Sequence, residues 1–526
     1  MSSMASFLNN GMDTNPYARI AAATGGAAVI TLGLLALKYN DRALFHEARD
    51  DMPRVKGDPI VGGLFRQLAN KDRTYDQQCQ HFERLDTLTF AASTIGMAPA
   101  VLTINPVNVE YFLKTNFENY IKGEHMLKSL GHFLGKGIFI ANGERWRYQR
   151  KTASHIFNIV NFRNHFTGVF VKELNVLSSH ILDKKVHSGK PVDFQDVMFK
   201  FTVDSFVLLA FGAEINALKS RGKVPFAASF DECQHDCLDR FINPFMPIVE
   251  ALKPIIRPGT MTIKQHLKVI DDFAYGIINE RRKQLAEGGE FKDLLSRFMN
   301  TRNEHGELLS DDELRDTSLN FILAGRDTTA QALSWTFYNL MLHPRVETKL
   351  FEEIKAHIRD EHENDSPALY EVIKDKMTYA HAVFYEVLRL YPPVPSNIKV
   401  ALGDDVWPDG TRIRKGDSVA WSTYAQGRST KVWGPDARVF RPERWITPEG
   451  ELRRESQGQW PIFHAGPRIC LGQALATLES LVAMIMLLRR YKFTLAPNQE
   501  IHYKVSLTMP MKNGMKVFVE KRELTH

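Results

Sequence analysis

The sequence predicts a mostly α-helical protein with a long central helix, small β-sheets and one amino-terminal transmembrane helix. Helical hydrophobic patterns dominate residues 112–391, and one of them runs without proline from Asp311 to Leu342. Strand signals are few: Pro408-Asp409-Gly410 is a turn sequence, and alternating residues around it predict a hairpin. No repeat or long flexible linker interrupts the rest, so we expect one large domain over residues 57–526.

The composition is that of a globular protein. Of the 526 residues, 44% are hydrophobic and 24% charged, which excludes a disordered chain and a multispanning membrane protein. The net charge of +6 is small beside 67 basic and 61 acidic residues, so we expect no nucleic-acid partner. Four cysteines in so long a chain are too few for a secreted disulfide framework.

An uncharged run of 18 residues extends from Ile20 to Leu37. As a helix it reaches about 27 Å, the short end of what spans a bilayer. A secretory signal or an Ala- and Gly-rich core helix are the alternatives, but no basic region precedes the run and no cleavage site follows it. Basic residues are concentrated after the run, which predicts a single-pass protein of the endoplasmic reticulum membrane whose main domain faces the cytosol. The predicted order is a lumenal segment (1–19), an anchor (20–37), a linker (38–56) and the main domain (57–526).

The long central helix begins at a capping box, Ser310-Asp311-Asp312-Glu313, and ends before His343-Pro344. Its 32 residues span about 48 Å, enough to cross a whole domain. Midway lies Ala324-Gly325-Arg326-Asp327-Thr328-Thr329, where small residues leave room beside the helix and an acid stands next to an alcohol. The simpler interpretation is that Thr328 bonds back to a backbone carbonyl and Asp327 pairs with Arg326.

Cys470 lies in Phe463-His464-Ala465-Gly466-Pro467-Arg468-Ile469-Cys470-Leu471-Gly472, directly before a predicted apolar helix. A cysteine at a helix start is favoured as thiolate. Gly466 and Gly472 let the backbone approach a flat ligand, and Arg468 can neutralise an anionic group, which suits a thiolate ligand to haem iron beside a propionate. The absence of a C-x-x-C-H motif excludes c-type haem, and a buried structural cysteine is the alternative.

Three further patterns have ordinary structural interpretations as well as functional ones. Glu386 and Arg389 lie one helical turn apart, as do Trp146 and Arg150, and both spacings occur on solvated helix faces. Cys233 and Cys237 flank His235, but without a second pair of ligands they are more typical of packing than of a zinc site.

Together these motifs resemble the cytochrome P-450 superfamily of haem-thiolate monooxygenases, over residues from about Pro53 to Val517. The resemblance implies the cytochrome P-450 fold and a non-covalent haem b whose iron is bound by Cys470. Ala324 stands where some animal fatty-acid hydroxylases carry a glutamate esterified to haem, so no such ester can form here. The implied cofactor-binding residues are Trp146, Arg150, Lys399, Phe463, Gly466, Arg468, Cys470 and Gly472.

The resemblance also assigns roles to polar residues away from the cysteine loop. It implies that Gly325 makes an oxygen pocket, that Thr328 hydrogen-bonds the bound oxygen and that Asp327 relays protons. Glu386, Arg389 and Arg444 would form a buried structural lock that supports the cysteine loop. These assignments follow from the family pattern.

The electrons must come from another protein, because the chain has no nicotinamide or flavin fingerprint. The resemblance implies NADPH-cytochrome P-450 reductase as that partner. The basic segment 144–151 is either a solvated helix face or a docking surface for an acidic electron-transfer partner.

Secondary motifs resemble the fatty-acid and alkane ω-hydroxylase branch of fungi and plants. They are residues 116–120, Lys122-Gly123, 150–155, 424–428, Gly472-Gln473 and 509–514, with departures at Ile121 and Gln426. The branch implies a lipophilic substrate delivered from membrane lipid and hydroxylated at or near its terminal carbon. The residues expected near the substrate are Leu323, Ala324, Val394 and Ile398.

Three alternatives remain open. The chain could act on another lipophilic substrate, could rearrange lipid peroxides as a haem-thiolate isomerase or dehydratase, or could be an inactive haem- or lipid-binding membrane protein. The presence of both Asp327 and Thr328 favours a monooxygenase over the isomerase.

Overall fold

The computed structural model describes residues 16–157, 161–220, 222, 224–243, 245–256 and 258–523. It is mostly helical, as predicted. The α-helices are α1 (Pro16–Lys38), α2 (Leu64–Ala69), α3 (Thr74–Arg84), α4 (Pro106–Glu110), α5 (Glu124–Leu134), α6 (Gly143–Ser154), α7 (Thr167–Leu177), α8 (Asp183–Ser188), α9 (Phe194–Phe211), α10 (Pro225–Ile242), α11 (Met246–Ile256), α12 (Ile263–Ala286), α13 (Leu294–Met299), α14 (Asp311–Leu342), α15 (Pro344–His357), α16 (Ser366–Lys376), α17 (Thr378–Leu390), α18 (Thr423–Arg428), α19 (Thr430–Trp433) and α20 (Gln473–Arg490).

The β-strands are short, and they form small sheets at the sides of the helical body. They are β1 (Thr89–Ala92), β2 (Ala100–Thr103), β3 (Tyr120–Ile121), β4 (Val192–Asp193), β5 (Asn397–Ala401), β6 (Asp405–Val406), β7 (Arg412–Ile413), β8 (Ser418–Trp421), β9 (Tyr491–Leu495) and β10 (Lys516–Lys521). One sheet has the order β1-β2-β8-β5-β3, and a second has the order β4-β10-β9. Within the first sheet β2 and β8 run parallel, whereas its other neighbours are antiparallel.

The predicted hairpin is confirmed as the antiparallel pair β6–β7, in which Val406 lies opposite Arg412. Its turn contains Gly410 with φ = +86°, a left-handed conformation that glycine adopts without strain. Short π-helices cover Tyr111–Thr115, Phe162–Phe166 and Ser178–Leu182. Short 3₁₀ helices cover Lys71–Arg73, Phe117–Asn119, Ala217–Lys219, Asp360–Glu363, Pro442–Trp445, Pro461–Phe463 and Gly466–Arg468.

Helix α14 crosses the core and has the bounds that its sequence predicts. Both hydrogen bonds of the capping box at Ser310 and Glu313 are present, because the Ser310 hydroxyl accepts from the Glu313 N–H while the Glu313 carboxylate accepts from the Ser310 N–H. The helix packs against α9, α12, α17 and α20. Between residues 317 and 337 every side chain is buried except at Ala324, Gly325 and Thr328. Ala324 and Thr328 therefore border an opening inside the protein, whereas Gly325 packs against Phe206 of α9.

Helix α1 includes the run predicted as a membrane anchor. Alanine, glycine and threonine make up much of this run, and in the part of the chain that the structure describes no helix combines the length and the hydrophobicity needed to cross a bilayer. The anchor at 20–37 stays a prediction, and most of the predicted lumenal segment 1–19 lies outside the described residues. Apolar side chains are nevertheless exposed on α1 and on α11.

Candidate active site

Cys470 lies between the 3₁₀ helix Gly466–Arg468 and the start of α20, and its N–H donates to the Phe463 carbonyl at 2.8 Å. The Cys470 side chain is exposed, yet burial raises the pKa of its thiol. The Cys470 side chain has accessible surface although protein atoms surround it, so we infer that the thiol faces an interior cavity. The Gly472 N–H and the Arg150 guanidinium lower the pKa of the thiol, but by less than burial raises it. The expectation that the helix start favours a thiolate stays a prediction, and a bound metal ion would add to the stabilisation of that anion.

Backbone packing explains the presence of a glycine in this loop, and the sequence alone does not indicate that packing. Gly466 has φ = +61°, and a Cβ atom there would lie 2.2 Å from the Leu113 carbonyl oxygen. It therefore permits close backbone packing against residues 111–115, and its contact with a flat ligand stays a prediction. A Cβ at Gly472 would lie 3.8 Å from the Cys470 Sγ, which is an ordinary contact.

Buried cations form a cluster near the cysteine loop. Lys399 on β5 is 1% exposed and Lys122 is 7% exposed. Burial lowers the pKa of Lys122 to about 7, and burial together with Lys122 and Arg468 lowers the pKa of Lys399 to about 6. Burial and the nearby Arg150 lower the pKa of Arg468 to about 10. Within the described residues these lysines and Arg468 form no ion pair with a carboxylate, so a ligand with more than one negative group fits among them.

Contacts with the backbone and with aromatic rings hold this cation cluster in place. The Arg468 guanidinium lies 4.6 Å from the Trp146 ring centroid and donates to the Ala141 carbonyl at 2.7 Å. Arg150 approaches the same indole ring at 5.9 Å. Asn142 fixes Lys122 through two hydrogen bonds, because its amide donates to the Lys122 carbonyl and accepts from the Lys122 N–H. The predicted residues Trp146, Arg150 and Arg468 are therefore brought together.

Lys122 and Asn142 are functional candidates that the sequence analysis missed. Lys122 belongs to a branch motif, and nothing in its local sequence indicates that it is buried beside Arg468. The predicted Lys399 lies in the same cluster, where its ammonium group is 4.6 Å from the Phe117 ring centroid and donates to the Tyr120 carbonyl. His464 adds no positive charge near neutral pH, because burial and Lys399 hold its pKa far below the usual value.

These features fit a haem group. The cavity offers one thiol that can bind iron, aromatic side chains at Trp146 and Phe463, and basic side chains that can pair with two propionates, the lysines taking up a proton as they do so. Cys470 would bind the iron of the group, and Lys122, Lys399, Arg150 and Arg468 would pair with its carboxylates. The class of protein that this site defines is a haem-thiolate protein.

Thr328 and Asp327 make the contacts of the simpler interpretation. The Thr328 hydroxyl donates to the Ala324 carbonyl at 2.7 Å. Asp327 is 1% exposed and pairs with Arg326 at 2.8 Å, and Arg326 also pairs with Asp231 of α10 at 2.8 Å. Burial raises the pKa of Asp327 to about 6, against the opposing effect of Arg326. A carboxyl group with that pKa exchanges protons near neutral pH, so the geometry is compatible with a proton relay.

Gly325 differs from the expectation that it makes an oxygen pocket. A Cβ atom at Gly325 would lie 2.0 Å from the Phe206 ring of α9. The missing side chain therefore allows α14 to pack closely on α9. The opening beside α14 is bordered instead by the small side chain of Ala324 and by Thr328.

The predicted substrate residues lie on two separate elements. Leu323 is buried on α14 beside half-buried Ala324. Val394 precedes β5, where its carbonyl accepts from the Thr423 hydroxyl, and Ile398 lies on β5 opposite Ala420 of β8. Both Val394 and Ile398 are half-buried, so each has surface available for a ligand.

Glu386 and Arg389 form a fully buried ion pair within α17. Arg389 donates to both carboxylate oxygens of Glu386, at 2.8 and 2.7 Å, and also to the Gly427, Ala437 and Val439 carbonyls. Arg444 approaches Glu386 at 3.4 Å, and the Trp445 indole donates to it at 2.9 Å. These contacts connect α17 to the segment that leads to the cysteine loop.

The basic segment 144–151 presents less positive charge than its sequence suggests. Arg145 pairs with Glu304, and Arg147 pairs with Glu144 and with Glu118. Arg150 approaches Trp146 in the interior. The solvated interpretation therefore explains most of this segment.

The remaining cysteines do not form a metal centre within the part of the chain that the structure describes. Cys79, Cys233 and Cys237 are buried, and burial raises the pKa of each thiol. No group of three or more His, Cys, Asp or Glu side chains in that part could hold a metal ion.

Comparison with known proteins supports the same class. A sequence model described as Cytochrome P450 matches residues 59–517. Cytochrome P450 704B1 of Arabidopsis thaliana is 35% identical over 503 residues, which cover 88% of this chain and 94% of that protein. Cytochrome P450 94A2 of Vicia sativa is 35% identical over 489 residues, covering 89% and 91%. Cytochrome P450 monooxygenase cyp1 of Mycosarcoma maydis is 34% identical over 506 residues, covering 92% and 77%.

The chain therefore belongs to the cytochrome P450 family of haem-thiolate monooxygenases.

Proposed function

We propose that this cytochrome P450 hydroxylates the terminal or near-terminal carbon of long-chain fatty acids or alkanes, with dioxygen and with electrons from NADPH through a separate reductase. The observation that carries the haem chemistry is the interior thiol of Cys470 near the buried Lys122 and Lys399 and the half-buried Arg468. The substrate class rests on the resemblance to the ω-hydroxylase branch, and the similarity to the relatives named above supports it.

Haem, when bound, supplies dioxygen activation and one-electron chemistry at its iron. Cys470 binds the iron as thiolate, and Lys122, Lys399, Arg150 and Arg468 neutralise the propionates. The pKa of Asp327, raised by burial to about 6, lets its carboxyl group take up and release a proton near neutral pH.

The Thr328 hydroxyl can donate a hydrogen bond into the opening beside α14. The hydroxyl hydrogen bonds to the Ala324 carbonyl, so delivering a proton into the opening requires the hydroxyl to rotate away from that carbonyl. Arg326 holds the neighbouring Asp327 through the 2.8 Å ion pair. Thr328 therefore borders the opening, whereas the Asp327 carboxylate is buried next to it and paired with Arg326.

Selectivity for the chain end has to come from shape. A primary C–H bond is stronger than a secondary one by a few kcal/mol. When the chain is free to move, that difference favours the rate of in-chain oxidation over terminal oxidation by about tenfold or more. A narrow channel that presents only the terminal methyl group overcomes that preference. Leu323 on α14 and Ile398 on β5 are the side chains that we assign to this constriction.

The proposed setting is the cytosolic face of the endoplasmic reticulum membrane, with α1 as a single-pass anchor and NADPH-cytochrome P-450 reductase as partner. A lipophilic substrate partitions into lipid, so an enzyme held at the membrane receives it at high local concentration. The exposed apolar side chains of α1 support contact with lipid.

The test is product mapping with the full-length protein and a reductase in microsomes. Dodecanoic to octadecanoic acids and the matching alkanes are supplied with NADPH, and the hydroxylated position is read by mass spectrometry. Oxidation at the last carbon or its neighbours is expected. Exclusive mid-chain or aromatic hydroxylation would contradict the substrate class, and NADPH-independent conversion of lipid hydroperoxides would identify an isomerase. Binding spectra without any product would identify an inactive binding protein.

A further inference from the structure

A row of aromatic rings leads from the cysteine loop to the protein surface. The ring centroids of Phe463 and Trp460 are 5.8 Å apart, those of Trp460 and Trp445 are 5.0 Å apart, and those of Trp445 and Trp433 are 5.5 Å apart. Distances in this range place neighbouring rings in direct contact. Because the Phe463 carbonyl accepts from the Cys470 N–H, the row begins at the proposed iron ligand.

The outer end of the row lies in a surface cleft. Trp433 is half-buried and lines a cleft of about 390 Å³, together with charged side chains that include Arg441, Arg453 and Glu455. A cleft of that volume is within the range that accommodates a small organic molecule. The charged rim and the indole ring together suit a small aromatic molecule with a polar group.

The indole N–H groups along this row are unusual. The Nε1 atoms of Trp433 and Trp460 are buried, and neither has a hydrogen-bond acceptor among the described residues. Buried indole groups usually find a partner, and an exception in a native structure is compatible with a redox role. The third indole, that of Trp445, donates to the Glu386 carboxylate at 2.9 Å.

The charges around the row are nearly balanced. The Arg389 guanidinium lies 5.4 Å from the Trp433 ring centroid, where a lone cation would oppose oxidation of the ring. Arg389 is paired with the Glu386 carboxylate, which also accepts the Trp445 N–H. Arg444 lies 3.4 Å from the same carboxylate and is paired with Asp436 at 2.9 Å, so two carboxylates offset the two guanidinium groups beside the row. Tyr385 packs against Trp445 and Trp460 and extends the same cluster.

We propose that the cleft at Trp433 is a second substrate site, where a phenol gives up one electron that passes through Trp433, Trp445 and Trp460 to the haem centre at Cys470. The activity is that of a peroxidase, in which a peroxide is the oxidant. It rests on the haem-thiolate centre but not on the identity of the hydroxylated substrate.

The reaction balances as H2O2 + 2 ArOH → 2 H2O + 2 ArO•. Each phenol loses one electron to Trp433 and one proton to solvent, which breaks its O–H bond. The peroxide gains two electrons through the aromatic row and two protons from solvent, and its O–O bond breaks. Phe463 belongs to the cysteine loop and lies between Trp460 and the haem centre. It is not itself oxidised.

The test uses the full-length haem-loaded protein with hydrogen peroxide and guaiacol as the phenol. Trp433→Phe keeps a ring in place but removes the oxidisable indole. We expect the rate of guaiacol oxidation to fall about tenfold or more, while the carbon-monoxide spectrum and NADPH-dependent hydroxylation are unchanged. Trp407→Phe is the matched control, because Trp407 is fully buried, stacks on Phe112 and donates to the Tyr120 hydroxyl outside the row.

A second readout does not depend on turnover. Peroxide without phenol should leave oxidised tryptophan at Trp433 and Trp460 in peptide mass maps, and Trp460→Phe should protect Trp433. Arg453→Phe narrows the cleft without changing the row, so it should raise the KM for guaiacol and leave oxidation of Trp433 unaffected.

Unchanged guaiacol oxidation in both Trp433→Phe and Trp460→Phe would overturn the proposal, as would peroxide damage that spares Trp433 in the parent protein. If Trp433→Phe does not fold, the Arg453→Phe and Trp460→Phe variants decide the question. Guaiacol oxidation without hydroxylation of any lipid would leave this inference intact and refute the proposed function.

Discussion

Replacing the buried Lys122 should have opposite effects on two properties. It should stabilise the haem-free protein against unfolding, and it should weaken the binding of haem. The pKa of the Lys122 ammonium group falls from the usual 10.5 to about 7 because the group is buried and lies near Arg468. Each pKa unit corresponds to about 1.4 kcal/mol, so keeping this cation charged costs on the order of 5 kcal/mol in protein from which haem has been extracted. Lys122→Met removes that cost, and we expect a higher free energy of unfolding at pH 7 for the haem-free variant.

The same change should weaken haem binding. A hydrogen bond from a cation to a propionate contributes about 1.5–3 kcal/mol, so its loss should speed haem transfer to an acceptor protein by roughly 10- to 100-fold. Unfolding by urea measures the first effect, and the rate of haem transfer measures the second. Lys114→Met is the control, because the Lys114 side chain is 57% exposed and pairs with Glu110 at the surface.

The pH dependence of the haem-free protein provides a further check. Between pH 7 and 10.5 the unfolded chain holds the Lys122 proton and the folded chain does not, so the stability contributed at this site rises with pH over that window. Below pH 7 both states are protonated and the full cost applies. A haem-free Lys122→Met protein that is less stable than the parent at pH 7 would refute the reasoning.

Four other outcomes follow from the site. Cys470→Ala should abolish the red-shifted absorption band of the reduced carbon-monoxide complex, while Cys237→Ser should keep it; an intact band without Cys470 would contradict iron ligation there. Thr328→Ala should retain haem but divert NADPH electrons to hydrogen peroxide, measured as product formed per NADPH consumed, and an unchanged ratio would argue against its role. Denaturing extraction should release unmodified haem, because Ala324 has no carboxylate to form an ester; haem that stays with the polypeptide would require another covalent link. Ile398→Ala should widen the channel and move products from ω toward ω−1 and ω−2 in mass-spectrometric maps, whereas the same product distribution would exclude Ile398 from the constriction.

Elements with local signals were predicted well. The bounds of α14 follow from the capping box at Ser310 and from His343-Pro344, and these signals stand directly at the two ends of the helix. The β6–β7 hairpin follows in the same way from Pro408-Asp409-Gly410. In each case the residues that determine the structure are neighbours in the chain.

Features that depend on distant partners could not be predicted from the sequence. Gly325 is required by Phe206 and Gly466 by Leu113, and neither partner is indicated by the motif around its glycine. Lys122 joins the cluster of basic side chains near the cysteine loop only because the fold brings separate segments together and places it beside Arg468. The sequence therefore indicated Cys470, Arg150, Lys399 and Arg468 but not Lys122, whose place beside them depends on the fold.

The contacts of the Glu386 carboxylate determine which segments of this protein unfold together. The carboxylate accepts contacts from Arg389 three residues away and from Arg444 and Trp445, which are 58 and 59 residues away. Removing one partner of a buried ion pair costs about 3–5 kcal/mol, so a half-separated arrangement is strongly disfavoured. Helix α17 and the segment from Gly427 to Trp445 should therefore open together as one cooperative unit. Amide hydrogens in both regions should exchange with deuterium at the same free energy, although the sequence between them forms separate strands and loops.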